Sequence, residues 1–244
     1  MIRRLIALSL LAVGCQNSAS PVAPIAGMAT LRVHIVAEPK AGAPQSDAAV
    51  SSFDTPTARN NGAFAKVDYA DLSQIVVWIE PVDGSPEKSE PAPLELSLRD
   101  PAPPDSVTGV AEVGQPIVLK NTAASPRTIY SVSDGNEFNL GSIAPGASGQ
   151  AVAKSAGTIE VLAESSPDPL AVIEVAPTQW VKMAHAGDDV TFANLPPGNY
   201  RVVSWHPRLP GSQTTVQLAA DQVTETQIRV GVNALPKVGP IQTP

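Results

Sequence analysis

One thiol serves the whole chain, Cys15, and it sits in the N-terminal apolar stretch. A blue-copper electron-transfer centre needs a thiolate, two imidazoles and a weak axial donor, because the thiolate sets both copper affinity and redox behaviour. Such a centre is excluded by composition. Aromatic residues make up only 4% of the chain, so its cores must be aliphatic. No helical stripe longer than about three turns is visible after the N-terminal segment, where an average domain is one-third helix. The fold class is therefore all-β. A formal net charge of -7 with no clustered cationic face excludes a nucleic-acid partner. Gly-x-Ser-x-Gly elbows, glycine-rich phosphate loops and amphipathic membrane helices are all missing, and three scattered histidines offer no triad signature. The chain is expected not to be an enzyme, and a hydrolase would require a pocket that the sequence does not reveal.

What is present begins with an export signal. Arg3 and Arg4 precede an apolar run from Leu5 to Val13, and small Gly14 stands before Cys15. The segment Ala12-Val13-Gly14-Cys15 resembles the lipobox of bacterial lipoproteins, with Ala12 where leucine is usual. That resemblance implies acylation of Cys15 and attachment to a membrane surface through lipid. Gln16 in place of Asp implies the outer membrane by the same resemblance, facing the periplasm or the cell surface.

Twenty-five prolines punctuate the chain into short strands. ATLRVHIVAEP alternates, with Leu31, Val33 and Ile35 on one face and Arg32 and His34 on the other. LSQIVVWIEPV, with its β-branched run and Trp78, reads as a buried strand ended by Pro81. Further strands are expected where Leu94, Leu96 and Leu98 alternate, at Ile117 to Leu119, Thr128 to Val132, Gln150 to Ala153, Thr158 to Leu162 and Leu170 to Val175. Turns fall at Asp134-Gly135, Pro145-Gly146 and Ala156-Gly157, the spacing of a β-sandwich. A last group of strands covers Val190 to Phe192, Tyr200 to Trp205, Thr214 to Leu218 and Thr224 to Val230. Trp205 is expected to pack inward where Trp205-His206-Pro207 ends its strand.

Several motifs carry a family resemblance: Ile75-Val76-Val77-Trp78-Ile79-Glu80, Phe138-Asn139-Leu140-Gly141, Pro145-Gly146, Leu195-Pro196-Pro197-Gly198-Asn199-Tyr200 and Trp205-His206-Pro207. Residues 72–230 resemble secreted bacterial proteins, related to a methylamine-utilisation protein, that join a plastocyanin-like (cupredoxin) domain to a carboxypeptidase-regulatory or transthyretin-like β-sandwich. The resemblance implies a cupredoxin-like Greek-key β-sandwich followed by a smaller transthyretin-like β unit. It also implies that the copper ligand positions are substituted. Arg127 stands at the first histidine, Ala163 at the cysteine, Ser166 at the second histidine and Pro169 at the axial methionine.

The expected organisation is a lipoprotein signal with its cysteine at 1–15, a flexible tether at 16–28, an N-terminal β region with a mobile loop and proline-rich connector at 29–100, a cupredoxin-like domain at 101–176, a carboxypeptidase-regulatory-like unit at 177–232 and a disordered tail at 233–244. No catalytic residue, metal or other cofactor is expected, and the one modification site is Cys15. The expected function is a non-catalytic scaffold or binding module of the cell envelope, recognising an envelope protein through the loops around Arg127 and Ser165 to Pro169. The alternative is a redox accessory or copper-binding electron-transfer protein with a non-standard site. That site would have to draw on His34, His185 and His206 with Asp188 or Asp189.

Overall fold

A computed structural model describes residues 25–39, 67–84, 90–103 and 106–231. Cys15, most of the expected tether, the loop at 40–61 and the tail at 233–244 lie outside the described residues. The described residues are all-β and contain no helix. Their strands run in chain order β1 (Ala29–Ala37), β2 (Ile75–Pro81), β3 (Leu94–Leu98), β4 (Gly109–Glu112), β5 (Pro116–Asn121), β6 (Arg127–Ser131), β7 (Phe138–Ile143) and β8 (Ser148–Val152). They continue with β9 (Gly157–Ala163), β10 (Ala171–Ala176), β11 (Val181–Ala184), β12 (Asp189–Leu195), β13 (Gly198–Trp205), β14 (Gln213–Leu218) and β15 (Val223–Val230).

The alternation of β1 does what its pattern dictates. Leu31, Val33 and Ile35 are at most 1% exposed, while Arg32 and His34 face solvent, Arg32 paired with Glu225 at 2.8 Å. The partners of β1 are far away in the chain. It lies in the middle of a three-stranded sheet, antiparallel to β12 and parallel to β15. The facing sheet has the order β11-β2-β13-β14. Ile75, Val77 and Ile79 of β2 meet Leu31, Val33, Ile35, Phe192, Val202 and Ile228 in one aliphatic core. Full burial of each such side chain stabilises the fold by about 1.5–3 kcal/mol.

Everything between β2 and β11 forms a second sandwich, from a five-stranded sheet β4-β10-β9-β6-β7 and a three-stranded sheet β3-β5-β8. Its separate core contains Leu98, Ile117, Leu119, Ile129, Ile159, Val161 and Ile173. The two units are nested: an inner sandwich, β3 to β10, interrupts an outer one made from both ends of the described chain.

This nesting draws the units differently from chain order. The region expected at 29–100 does not stand apart: β1 and β2 share sheets with β11 to β15, and β3 pairs in parallel with β5. Alternation reveals which face of a strand is buried but not which strand lies beside it. Three short strands were not expected: β4, β7 and β11. Each has a weak pattern of its own and is extended because a neighbour supplies its ladder.

The two sandwiches meet along the outward face of the β11-β2-β13-β14 sheet. Val76, Val107 and Ala176 are at most 6% exposed yet belong to neither core. Gln74, in a left-handed conformation at φ 63°, accepts a 2.6 Å hydrogen bond on Oε1 from the Val107 amide. Thr178 Oγ1 donates to the Ile79 carbonyl at 2.7 Å, tying the return crossing to β2.

Candidate functional site

The phase of β13 decides what the inter-sandwich face presents. Tyr200, Val202 and Ser204 point into the outer core and are at most 4% exposed. Trp205, one residue on, therefore points away from that core, opposite the expected inward packing. It is half-buried and faces the inner sandwich, while His206 turns in and is 9% exposed. Nδ1 of His206 accepts from the Arg208 amide at 3.1 Å, which in a neutral ring leaves the proton on Nε2.

Trp205 and Pro207 form one wall of a cleft of about 720 Å³ between the sandwiches. Thr158 and Glu160 on β9 and Val172 on β10 form the opposing wall, on the outward face of the inner sheet. Asp168 and Pro169, in the loop between β9 and β10, and the connector residues Pro101, Ala102, Pro103 and Ser106 complete it. The Ala102 amide donates to the Pro169 carbonyl at 2.8 Å, which fastens the connector to the loop. Ser106 is 7% exposed, and its Oγ is buried without a hydrogen-bond partner. A buried hydroxyl left unsatisfied costs about 1–3 kcal/mol. The unsatisfied oxygen lies beneath the cleft surface, out of contact with solvent.

Behind Thr158 lies Glu174, 4% exposed on β10, whose Oε2 accepts a 2.7 Å hydrogen bond from Thr158 Oγ1. Burial raises its carboxyl above the ordinary value of 4.5, and the Thr158 hydroxyl acts against that rise. A carboxyl raised in this way favours the folded state while it is protonated. Its contribution is complete below 4.5 and is lost as pH climbs through the higher folded value. Glu174→Gln keeps an oxygen for Thr158 and removes the titration. We expect melting temperature to decline less steeply in the variant than in the wild type from roughly pH 4 to pH 8. Equal slopes in the two proteins would exclude Glu174 as the titrating group. Burial likewise raises Tyr200, whose hydroxyl donates to the Pro196 carbonyl at 2.8 Å and fixes the Pro196-Pro197-Gly198 turn.

The four positions that the sequence resemblance assigns to copper ligands, Arg127, Ala163, Ser166 and Pro169, share one end of the inner sandwich. Ile129 on β6 pairs with Ala163 on β9, so Arg127, two residues earlier, lies beside the loop that carries Ser166 and Pro169. Ala163 is 1% exposed and part of the core. Arg127 is half-buried, with Nη1 buried and unpartnered. Ser166 Oγ donates to the Asp168 carbonyl at 2.7 Å and shapes the loop. Of the four, only Pro169 lines the cleft. The cleft took its other residues from segments that the sequence pattern separates. Only the outward phase of β13 and β9 could have indicated them.

The histidines do not converge. His34 Nδ1 lies 2.9 Å from Asp189 Oδ1, His185 Nδ1 lies 3.4 Å from Asp188 Oδ2, and His206 stands apart at the end of β13. Among the described residues no group of three or more His, Cys, Asp or Glu side chains is placed to hold a metal ion. The described residues also contain no helix long and apolar enough to cross a membrane.

No family model matches the chain, and no curated protein does. Among solved structures it is similar to a Cu(I) form of a methionine-to-alanine variant of amicyanin, at 15% identity and a TM-score of 0.27, covering 40% of this chain and 98% of the other. A second Cu(I) methionine-to-alanine variant of amicyanin matches at 14% identity and 0.27, covering 41% and 99%. A reduced tryptophan-to-tyrosine variant matches at 13% identity and 0.26, covering 40% and 98%.

Proposed function

We propose that the chain is a non-catalytic binding module, tethered to the bacterial cell envelope through lipid on Cys15, whose ligand site is the cleft between the sandwiches. The inner sandwich is read as a cupredoxin-like fold without its copper ligands and the outer one as a transthyretin-like unit, on the sequence motifs described above. One observation carries the binding role. Two independently cored units meet around a concave space of about 720 Å³, within the range of small-molecule sites. The lining offers no activated nucleophile beside a base, and the histidines are not part of it.

Equilibrium titration of the full chain with cationic, anionic and neutral aromatic small molecules tests this reading. At least one class should bind saturably and be recovered unchanged. Val172→Trp fills the cleft from an outward strand position and should weaken that binding roughly a hundredfold, a loss of about 2.7 kcal/mol. Absence of binding by every class, or binding indifferent to Val172→Trp, would defeat it. The tether is checked by labelled palmitate, which should enter the wild type in a bacterial host but not Cys15→Ser.

A further inference from the structure

We infer that the cleft selects an organic cation, an ammonium group carried on a flat apolar body. This inference rests on the cleft being a ligand site. The charged residues lining it are Glu160 and Asp168, with no lysine, arginine or histidine among the lining residues. Neither carboxylate joins an ion pair among the described residues, whereas Glu80 and Glu225 are paired with Arg201 and Arg32. Two unpaired carboxylates, Glu160 on β9 and Asp168 in the loop between β9 and β10, within a partly enclosed space, concentrate a negative potential there. An anion entering the cleft meets repulsion and no cationic donor. A cation replaces its lost hydration with two carboxylates.

The rest of the lining specifies what surrounds the charge. Trp205 offers an aromatic surface that attracts a cation at its face. Val172, Pro101, Pro103, Pro169 and Pro207 offer apolar surface and no side-chain hydrogen-bonding group. A bare metal ion is a poor occupant, since it needs several converging oxygen or nitrogen ligands and the lining carries two carboxylates set among prolines.

Titration of the full chain with phenethylammonium, phenylethanol and phenylacetate separates charge from shape, because the three share one aromatic body. Phenethylammonium should bind at least roughly tenfold more tightly than phenylethanol, and phenylacetate should bind least. Its affinity should fall with added salt. The double variant Glu160→Gln, Asp168→Asn should cost the ammonium roughly tenfold or more and leave phenylethanol unchanged. Both positions are exposed, and an unaltered melting temperature confirms that the variant is folded. Preference for phenylacetate or phenylethanol overturns the cation assignment while the cleft stands as a ligand site. Ammonium binding that survives the double variant overturns it as well. Failure of all three probes removes both readings. A lysine-rich peptide binding more tightly than phenethylammonium would make the occupant a protein segment and overturn the small-ligand assignment.

Discussion

A chain beginning at residue 67, and so lacking β1, loses the outer sandwich and keeps the inner one. The physical reason is the position of β1 at the centre of its sheet, between β12 and β15. Leu31, Val33 and Ile35 are 0–1% exposed, and truncation of a single such residue costs about 2–5 kcal/mol. Loss of all three, about 6–15 kcal/mol, is as large as the roughly 5–15 kcal/mol by which a domain is stable. β12 and β15 are also left with unpaired inner edges. The inner sandwich has its own core and loses nothing that β1 supplies. Calorimetry of the full chain should resolve two transitions where the units unfold separately, and the truncated chain should retain only that of a fragment spanning 90–178. A peptide of residues 25–39 should restore the missing transition in a concentration-dependent way. If the truncated chain unfolds like the full chain, the nested arrangement is wrong.

Asn121→Ala should destabilise the inner sandwich by about 3 kcal/mol, since buried groups left without partners cost about 1–3 kcal/mol each. Asn121 is 0% exposed at the end of β5. Its Nδ2 donates to the Ser125 carbonyl at 2.9 Å and the Ile143 carbonyl at 2.8 Å, and its Oδ1 accepts from the Ala123 amide at 3.1 Å. One side chain thereby fastens the loop after β5 to the end of β7. Alanine leaves the buried Ile143 carbonyl and the turn without these partners. For a unit of this size the melting temperature should fall by roughly 15 °C. Asn136, 1% exposed, performs the same service for the turn at Gly135, donating to Ser155 and accepting from the Lys154 and Ser155 amides. Asn136→Ala should behave alike. A fall of less than about 1 kcal/mol in either variant would show that water replaces the amide at little cost.

The strands legible in the sequence were those with a pattern of their own. β1 alternates, β2 carries an unbroken β-branched run, and β9 and β10 bring apolar residues at strand spacing, so their burial could be stated in advance. β4, β7 and β11 were not, because four to six residues of mixed character become strand only beside a partner. Trp205 shows how a residue's size misleads. A large aromatic at a strand end suggests core, yet Tyr200, Val202 and Ser204 already occupy the inward phase. The two asparagines were visible only as polar residues near turns. Their burial became apparent once the strands they link were seen side by side.

The amino-acid order by itself determined the all-β class, the aliphatic nature of both cores and the exclusion of a thiolate copper centre, because these follow from composition and period-two alternation within single strands. Tertiary structure decided that β1 and β2 belong with β11 to β15, that Trp205 faces the other sandwich, and that Glu160, Asp168, Ser106 and Trp205 share one cleft. Those facts depend on pairings across as many as 194 positions, as in the bond from the Gly27 amide to Asp221 Oδ1. Local pattern carries no record of such partners, since any strand with the right buried face satisfies a ladder equally well, and the choice among them is made by how the whole set of faces closes two cores at once.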